Sequence, residues 1–333
     1  VDSIHRPLSE GIRKMMPLGL NRPGLFKRGD VYISLGCDWA DKDMGVLLQL
    51  KKEHCLNVVL CCHDIIPVIR PDLTLAQITK NFEPYLRKMI EVADHVLCVS
   101  ECTRKDLLEY IGTNNLQMPE LSLIRHGATI TVQHASAGVD CIIEEPYILC
   151  VSTFEPRKNH SILYGSYLNI LSMRGEGIPV LLLVGMAGWG VEDLLRKIRS
   201  DERVRNNIRV LHDVSDSSLD KLYANALFTV YPSHYEGWGL PVAESLAHGK
   251  FCLASSAASI PEVGGGLVEY VDPTDEMGWT ERILYYIDNQ DALRLKENRI
   301  RCEYNSLSWG QTSRSVFEVA DAMIRVPDKC EGI

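Results

Sequence analysis

Apolar, strand-like segments alternate with amphipathic, helix-like stretches along nearly the whole chain, and this alternation constrains the possible folds most. Segments rich in Val, Ile and Leu predict strands at residues 30–36, 57–63, 95–100, 121–127, 147–153, 180–185, 207–212, 227–231 and 251–255. The stretches between them predict helices at residues 43–53, 79–93, 101–111, 159–174, 190–200, 215–224 and 241–248. Apolar strands that alternate with helices are typical of parallel sheets covered on both faces. The chain is therefore predicted to be an α/β protein.

The predicted strands form two blocks that join near residues 139–146, and a chain of 333 residues is long for one compact core. Two Rossmann-like domains with parallel sheets are therefore predicted to face each other across a cleft. Ligands of such sheets bind outside the carboxyl ends of the strands, so the cleft is the expected site.

Composition and charge exclude several classes of protein. Hydrophobic residues make up 46% of the chain, yet no apolar run approaches the roughly 20 residues that span a bilayer. The net charge of −9 argues against a nucleic-acid binder that neutralises phosphates. The first 143 residues hold 16 Lys and Arg against 17 Asp and Glu, so this nearly neutral part is compatible with contact with an anionic membrane surface.

The cysteines and the chain start bear on the expected compartment. None of the eleven cysteines forms a C-x-x-C pair, so neither a zinc site nor a redox motif is predicted. Buried free thiols in a reducing cytoplasm are the expected alternative. The first 30 residues lack the apolar core of a secretory signal. The chain begins at Val1 rather than Met, which leaves open that it is part of a longer chain.

The segment YPSHYEGWGLPVAES, residues 231–245, places two glutamates on either side of a glycine turn. It follows a predicted strand, Gly237 and Gly239 remove side chains from the turn, and the next proline suits the first turn of a helix. Such a turn directs free N–H groups and the positive end of a helix dipole at an anion such as phosphate. Glu236 and Glu244 would then bind hydroxyl groups beside that anion. A sugar nucleotide has both parts and is the predicted ligand.

Two shorter patterns have weaker functional interpretations. The glycines of residues 184–190 are spaced G-x-x-G-x-G rather than G-x-G-x-x-G, so NAD binding is not predicted and no cofactor is expected. The motif DKD, Asp41 to Asp43, matches the D-x-D pattern of metal-dependent glycosyltransferases of another fold. It also stands at the start of a predicted helix, where aspartates cap the N-terminus. Helix capping is the preferred interpretation, and no metal is predicted.

Six motifs, taken together and in their order, carry a resemblance to a known family. They are CCHDIIPVIRPDL (61–73), ADHVLCVSECTRKDL (93–107), STFEPRKNH (152–160), LLLVGMAGWG (181–190), VYPSHYEGWGLPVAESLAHGK (230–250) and SIPEVGGG (259–266). They resemble retaining glycosyltransferases of family 4, which have the GT-B architecture of two Rossmann-like domains, and particularly its bacterial mannosyltransferase-like members. The resemblance runs from about residue 30 to residue 325.

The resemblance implies an arrangement of domains. Residues 1–143 would form the acceptor-side domain and residues 144–306 the domain that binds the nucleotide sugar. Residues 307–333 would form a last helix, opened by YNSLSWGQT (304–312), that crosses back to the first domain. Residues 1–30 do not supply the strand, glycine-rich loop and further strand–helix unit with which the family usually begins, so the first domain is predicted to lack them.

The resemblance also implies roles for individual residues. Glu236 and Glu244 form the E-x7-E pattern, in which Glu244 would hold the ribose hydroxyls and Glu236 would lie beside the donor sugar. Lys158 would contact phosphate, with Arg157 beside it, although Thr153 occupies the place where many members have an arginine. The structural alternative is that these two cations lie in an exposed basic loop and bind no ligand.

Further residues complete the implied site. His63 would face the donor sugar and the leaving phosphate across the cleft, whereas a purely structural histidine is the alternative. Gly185 would belong to the donor pocket. The leaving diphosphate would be stabilised by the backbone around Gly237, Trp238, Gly239 and Leu240.

The function implied by the resemblance is retaining transfer of a hexose from a nucleotide-diphosphate sugar to a glycan or lipid-linked acceptor in polysaccharide biosynthesis. GDP-mannose is the first choice of donor, while rhamnose, glucose and N-acetylglucosamine donors stay open. The enzyme is expected in the cytoplasm, and peripheral contact with the inner face of the membrane is compatible with this location. The alternative is a non-catalytic sugar-nucleotide-binding or regulatory module of the same fold.

Overall fold

Two parallel sheets form the framework of the protein, which the computed structural model describes over residues 25–40, 42–128 and 143–324. The first sheet has the order β1-β2-β3-β4, with β1 Val31–Ser34, β2 Asn57–Cys62, β3 His95–Cys98 and β4 Glu120–Leu123. The second has the order β10-β9-β8-β5-β6-β7, with β5 Tyr147–Val151, β6 Val180–Val184, β7 Ile208–Leu211, β8 Phe228–Tyr231, β9 Cys252–Ser255 and β10 Glu269–Val271. The prediction of an α/β fold with two parallel sheets is confirmed.

Helices connect the strands in both halves of the molecule. The first half (residues 25–128) contains α1 Met44–His54, α2 Ile66–Ile69, α3 Ala76–Val92 and α4 Glu101–Thr113. The second half (residues 143–306) contains α5 His160–Arg174, α6 Glu192–Ser200, α7 Asp216–Asn225, α8 Leu240–Ala247, α9 Ile260–Gly264, α10 Glu276–Asp288 and α11 Gln290–Glu303, and α12 Trp309–Ile324 follows it. None of the helices within these ranges has both the length and the apolar character needed to cross a membrane.

Asp43 begins α1 as a helix cap. Its carboxylate accepts hydrogen bonds from the backbone N–H of Gly45 at 2.8 Å and of Val46 at 3.3 Å. A side-chain oxygen at this position satisfies N–H groups that have no partner in the first helical turn. The capping interpretation is therefore confirmed for Asp43, and Asp41 lies outside the described residues.

The strand order of the second sheet places a crevice beside β5. This strand lies in the middle of the sheet, with β6 on one side and β8 on the other. Loops that leave such a reversal point open into a crevice at the carboxyl ends of the strands, where ligands usually bind. Residues 152–159 follow β5 and residues 232–239 follow β8, so the fold brings these two sequence motifs to one place.

An apolar cluster joins the two halves. Val59 and Leu97 of the first sheet pack in one cluster with Trp238 of the second half and Val316 of α12, and all four are buried. Burial of apolar surface between the halves favours their association, because about 25 cal/mol is gained per Å² removed from water. The loop that carries Trp238 therefore belongs to the interface as well as to the second half.

The last helix returns to the first sheet, as the resemblance implies. Thr312 Oγ1 of α12 donates a hydrogen bond to the carbonyl oxygen of Arg125 at 2.8 Å. The N–H of Ala128 donates to the carbonyl oxygen of Leu307 at 2.9 Å. Residues 139–142 of the predicted linker lie outside the described residues, and the domain boundaries after residues 143 and 306 stay predictions.

Candidate active site

Glu236 lies in the loop after β8, and hydrogen-bond donors surround its buried carboxylate. Oε1 accepts from Lys158 Nζ at 2.6 Å and from the Tyr231 hydroxyl at 2.8 Å. Oε2 accepts from Arg157 Nη1 at 2.7 Å, and only 7% of Glu236 is exposed. Both cations come from the 3-10 turn Pro156–Lys158 after β5. The structure therefore brings together three of the predicted site residues at the reversal of strand order.

The charge state of Glu236 follows from opposing effects. Burial raises the pKa of this carboxyl, but Lys158 and Arg157 outweigh burial and lower the pKa of Glu236 to about 2. Glu236 is therefore a carboxylate at neutral pH and does not serve as a proton donor there. Arg157 Nη2 also donates to Glu155 at 2.6 Å. The charges of these two cations and two carboxylates sum to zero.

Hydroxyl groups from both halves hold the carbonyl groups of the turn that follows Glu236. Ser259 Oγ lies 2.8 Å from the carbonyl oxygen of Glu236 and 2.8 Å from that of Trp238. Between them, the carbonyl oxygen of Gly237 lies 3.3 Å from Thr103 Oγ1 of the first half. Two hydroxyl groups thus lie against three successive carbonyl groups, and because each hydroxyl has one proton, each donates to one carbonyl at a time or divides a weaker bond between two.

The N–H groups of the same turn are free to bind a ligand. Within the described part of the chain, no acceptor is bound by the backbone N–H of Gly237, Trp238, Gly239 or Leu240. The indole Nε1 of Trp238 is buried and likewise has no partner among the described residues. Gly239 has a φ of +117°, a conformation that favours glycine. These donors stand at the N-terminal end of α8, where the helix dipole favours an anion.

Glu244 lies within α8, and its carboxylate is held at one oxygen. Oε2 accepts a hydrogen bond from the Tyr223 hydroxyl at 2.8 Å, and the Tyr223 ring stacks on His248 at 5.1 Å. Burial raises the pKa of Glu244, while Tyr223 and His248 act against that shift. Oε1 accepts no hydrogen bond from the described residues. Glu244 is therefore oriented by the protein and retains one oxygen for a ligand hydroxyl.

His63 follows β2 and meets the second half at the glycine turn. A Cβ at position 237 would overlap the carbonyl oxygen of His63, so this approach requires Gly237. His63 Nε2 lies 2.9 Å from the carbonyl oxygen of Leu35. A carbonyl only accepts hydrogen bonds, so Nε2 carries the proton, and Nδ1 of the neutral ring is an acceptor. The His63 ring stacks on His126 at 5.6 Å, which fixes its plane.

Gly185 has a packing role inside the second half. A Cβ at Gly185 would overlap the carbonyl oxygen of Ser152, and one at Gly188 would overlap that of Phe154. The loop after β6 can approach the loop after β5 this closely only because both positions are glycine. The packing alone accounts for these two glycines, and the place of Gly185 in a donor pocket stays a prediction.

The sequence does not indicate that several other polar residues belong to the site. Tyr231 and Tyr223 are buried and stand in a predicted strand and a predicted helix, where they are expected as apolar core residues. Ser259 lies in a quoted motif, but nothing in the sequence indicates that its hydroxyl reaches a turn more than 20 residues away. No group of three or more His, Cys, Asp and Glu residues that could hold a metal ion occurs within residues 25–40, 42–128 and 143–324.

Comparisons with known proteins identify the family of the chain. Residues 142–307 match the family model described as glycosyl transferases group 1. O-antigen chain mannosyltransferase B of Escherichia coli is 34% identical over 263 residues, which cover 76% of this chain and 67% of that protein. Serotype-specific mannosyltransferase WbdA of Escherichia coli is 27% identical over 242 residues, which cover 68% of this chain but 29% of that protein. The chain thus spans less than a third of the length of WbdA.

A solved structure shares the fold over most of its length. Anabaena HepE, in complex with UDP and glucose, matches with a TM-score of 0.67 at 15% identity, over 87% of this chain and 77% of that one. This likeness concerns the fold alone, which is GT-B, as the sequence motifs predict. The match to the O-antigen mannosyltransferase extends over two thirds of that protein and includes both halves of this one. The chain therefore belongs to the group 1 glycosyl transferases.

Proposed function

We propose that this protein transfers a mannosyl group from GDP-mannose to a glycan or lipid-linked acceptor, with retention at the anomeric carbon, in polysaccharide biosynthesis. The names of its relatives support mannose as the sugar. The observation that carries the proposal is the buried Glu236 carboxylate, held by Lys158 and Arg157 beside a turn of unpaired N–H groups. Burial of several charges costs folding free energy, so such a cluster in a cleft favours a functional role.

The nucleotide is proposed to bind the second half. Oε1 of Glu244 would accept a hydrogen bond from a ribose hydroxyl, and the N–H groups of residues 237–240 would bind the diphosphate. Because Glu236 and Glu155 already neutralise Lys158 and Arg157, these cations contribute no net charge in the free protein. The backbone N–H groups at the N-terminal end of α8 would therefore contribute more to phosphate binding than they would if Lys158 and Arg157 were not neutralised.

The chemical step is proposed to take place on one face of the sugar. The bond from C1 to the β-phosphate oxygen breaks, the acceptor oxygen forms the new bond to C1, and the acceptor proton passes to a phosphate oxygen. Glu236 would bind sugar hydroxyls and stabilise the positive charge that develops at C1. The ion pairs that lower its pKa also weaken it as a nucleophile, which favours this route over a covalent glycosyl-enzyme intermediate.

The acceptor is proposed to bind the first half. A cavity of about 90 Å³ lies beside His63 and Asp64, and aromatic side chains of Trp39, Phe82 and Tyr85 line it. Aromatic rings offer apolar faces with a polar edge, which suits a sugar ring. A lipid-linked acceptor would place the protein at the cytoplasmic face of the membrane.

A thermal-shift screen against GDP-, UDP-, ADP- and dTDP-sugars tests the donor, because a ligand that binds the native state raises its apparent stability. We expect the largest shift with GDP-mannose. NMR of the product formed with an acceptor glycan should then show the same anomeric configuration as the donor. Binding without transfer or hydrolysis would favour a non-catalytic binding module, and a larger shift with another base would overturn the choice of donor.

Activity is expected to survive excess EDTA. The charge of the leaving diphosphate would be stabilised by Lys158, Arg157 and the turn amides, which together replace the divalent ion of other glycosyltransferases. The measurement is the initial transfer rate before and after chelation. Loss of activity that Mn²⁺ or Mg²⁺ restores would contradict metal independence and return attention to Asp41 and Asp43.

Glu244→Ala is expected to weaken nucleotide binding by about 10- to 100-fold, since a hydrogen bond to a charged group contributes roughly 1.5–3 kcal/mol. Turnover at saturating donor should change little, because Glu244 would contact the ribose and not the reacting atoms. Calorimetry with GDP and transfer kinetics measure the two effects. The matched control is Glu281→Ala, an exposed glutamate on α10. Unchanged GDP affinity in Glu244→Ala would remove Glu244 from the nucleotide site.

A further inference from the structure

The N-terminus of α4 in the first half is capped by a carboxylate of the second half. The backbone N–H groups of Glu101 and Cys102 donate to Glu262 Oε2 at 2.8 Å and to Glu262 Oε1 at 2.7 Å. The next N–H, that of Thr103, donates to the side chain of Ser100 at 3.0 Å. Three N–H groups of the first helical turn are thus satisfied, two of them across the interface between the halves.

The same helix contacts the residues on both sides of Glu236. Thr103, which is 1% exposed, places its hydroxyl 3.3 Å from the carbonyl oxygen of Gly237 and 3.3 Å from that of His63, so its one proton is shared between the two halves. One helical turn later, Asp106 accepts a hydrogen bond from the Tyr235 hydroxyl at 2.8 Å. The position of α4 therefore determines where the neighbours of Glu236 lie.

The short helix α9 connects this cap to the turn from the other side. Ser259, directly before α9, binds the carbonyl groups of Glu236 and Trp238, and Glu262 is the third residue of α9. One rigid element of the second half thus holds the turn through Ser259 and holds α4 through Glu262. The turn therefore lies between α4 and α9, and the Glu262 cap connects these two helices.

We infer that Glu262 is a positioning residue for the transfer reaction, an inference that rests on the proposed function. By capping α4, Glu262 holds Thr103 against the carbonyl oxygen of Gly237. With that peptide plane fixed, the N–H of Trp238, which belongs to the same peptide group, keeps one direction and is preorganised for the diphosphate. Glu262 itself would touch neither donor nor acceptor.

Glu262→Gln tests the inference, with Glu281→Gln as the matched control on an exposed helix face. Hydrogen–deuterium exchange reports the geometry without any substrate. Val242 and Ala243 donate their N–H groups to the carbonyl oxygen of Gly239 at 3.1 Å and 3.4 Å, so their exchange reports the order of the turn. We expect faster exchange in Glu262→Gln at Cys102 and also at Val242 and Ala243, and no change in the control.

Kinetics give the second readout. Glu262→Gln should lower turnover by about tenfold, the effect of losing roughly 1.4 kcal/mol of transition-state stabilisation, and should weaken GDP binding by no more than a similar factor, because the same turn amides would bind the diphosphate of GDP. Thr103→Val should reproduce this loss, and Thr103→Ser, which keeps the hydroxyl, should restore it. Because Glu262 would act through Thr103, the double variant should lose no more than Thr103→Val alone.

Faster exchange at Cys102 alone, with unchanged exchange at Val242 and Ala243, would mean that Glu262 only caps a helix and would overturn the inference. Unchanged turnover in both Glu262→Gln and Thr103→Val would overturn it as well. If the unaltered protein transfers no sugar from any nucleotide donor, the proposed function fails. The exchange measurement still decides whether Glu262 orders the turn, so the two failures are distinguishable.

Discussion

Glu236→Gln is expected to lower the turnover number by about 10³-fold, as the removal of one well-placed transition-state contact does in other enzymes. Glutamine keeps the shape of the side chain but loses the negative charge that would stabilise C1. GDP affinity should stay the same or increase, because Lys158 and Arg157 would then meet the diphosphate with only Glu155 to neutralise them. Transfer kinetics and calorimetry with GDP on the same preparation measure both effects.

Tyr231→Phe is the matched control for Glu236→Gln. It removes the hydroxyl that donates to Glu236 Oε1 and accepts from Lys158 Nζ at 3.1 Å, but it leaves both ion pairs in place, so turnover should fall far less. A circular-dichroism melt distinguishes lost chemistry from lost folding. A large loss of GDP affinity in Glu236→Gln, with turnover near that of the unaltered protein, would contradict the role of Glu236 in the reaction.

His63→Ala is expected to depress sugar transfer by a factor of about 10²–10³, again the effect of one well-placed contact, while GDP affinity stays within a few-fold. His63 lies in the first half, whereas Lys158, Glu236 and Glu244 lie in the second. A donor bound between the halves, which already meet at the glycine turn, would be shielded from water, and water would otherwise hydrolyse an oxocarbenium-like sugar. The measurements are calorimetry with GDP, transfer rate, and hydrolysis of the donor without acceptor.

His95→Ala is the control for His63→Ala. His95 is likewise a histidine with a ring nitrogen at hydrogen-bond distance from a partner, Ser122 Oγ at 2.7 Å. It begins β3, whereas His63 follows the carboxyl end of β2, so the two rings lie at opposite ends of the parallel strands. Any general cost of removing a hydrogen-bonded histidine ring should therefore appear in both variants. Equal transfer rates in His63→Ala and the unaltered protein would make His63 a structural residue.

Local pattern predicted most of the framework but not the last part of the second half. All nine strands predicted from apolar runs are present, because continuous Val, Ile and Leu in short segments are typical of buried parallel strands. The strand β10 (Glu269–Val271) was not predicted, because it has only three residues and is partly buried at the edge of the sheet. The helix α9 before β10 and the helices α10 and α11 after it were not predicted either, because no long apolar run marks them.

The sequence predicted which residues belong to the site, but not which of them bind each other. The sequence motifs single out Glu236, Arg157 and Lys158, but assign the two cations to a diphosphate. In the structure both cations bind Glu236, which lies 78 or 79 residues further along the chain. Contacts at such a separation depend on strand order, and neither periodicity nor spacing contains that information. The roles of Thr103 and Glu262 depend in the same way on how the halves meet.

The cap on α4 has a consequence for how such enzymes exchange parts in evolution. Glu262 binds backbone N–H groups, which every residue type except proline supplies, so this contact places almost no demand on the side chains at positions 101 and 102. The hydroxyl of Thr103 and the carboxylate of Asp106 are the side-chain requirements of the seam at this helix. A first half from a distant relative could therefore replace residues 25–128, provided that it brings these two groups and an apolar surface that packs on Trp238 as Val59 and Leu97 do. Under the proposed function, recombination at this seam would offer new acceptors to an unchanged donor site.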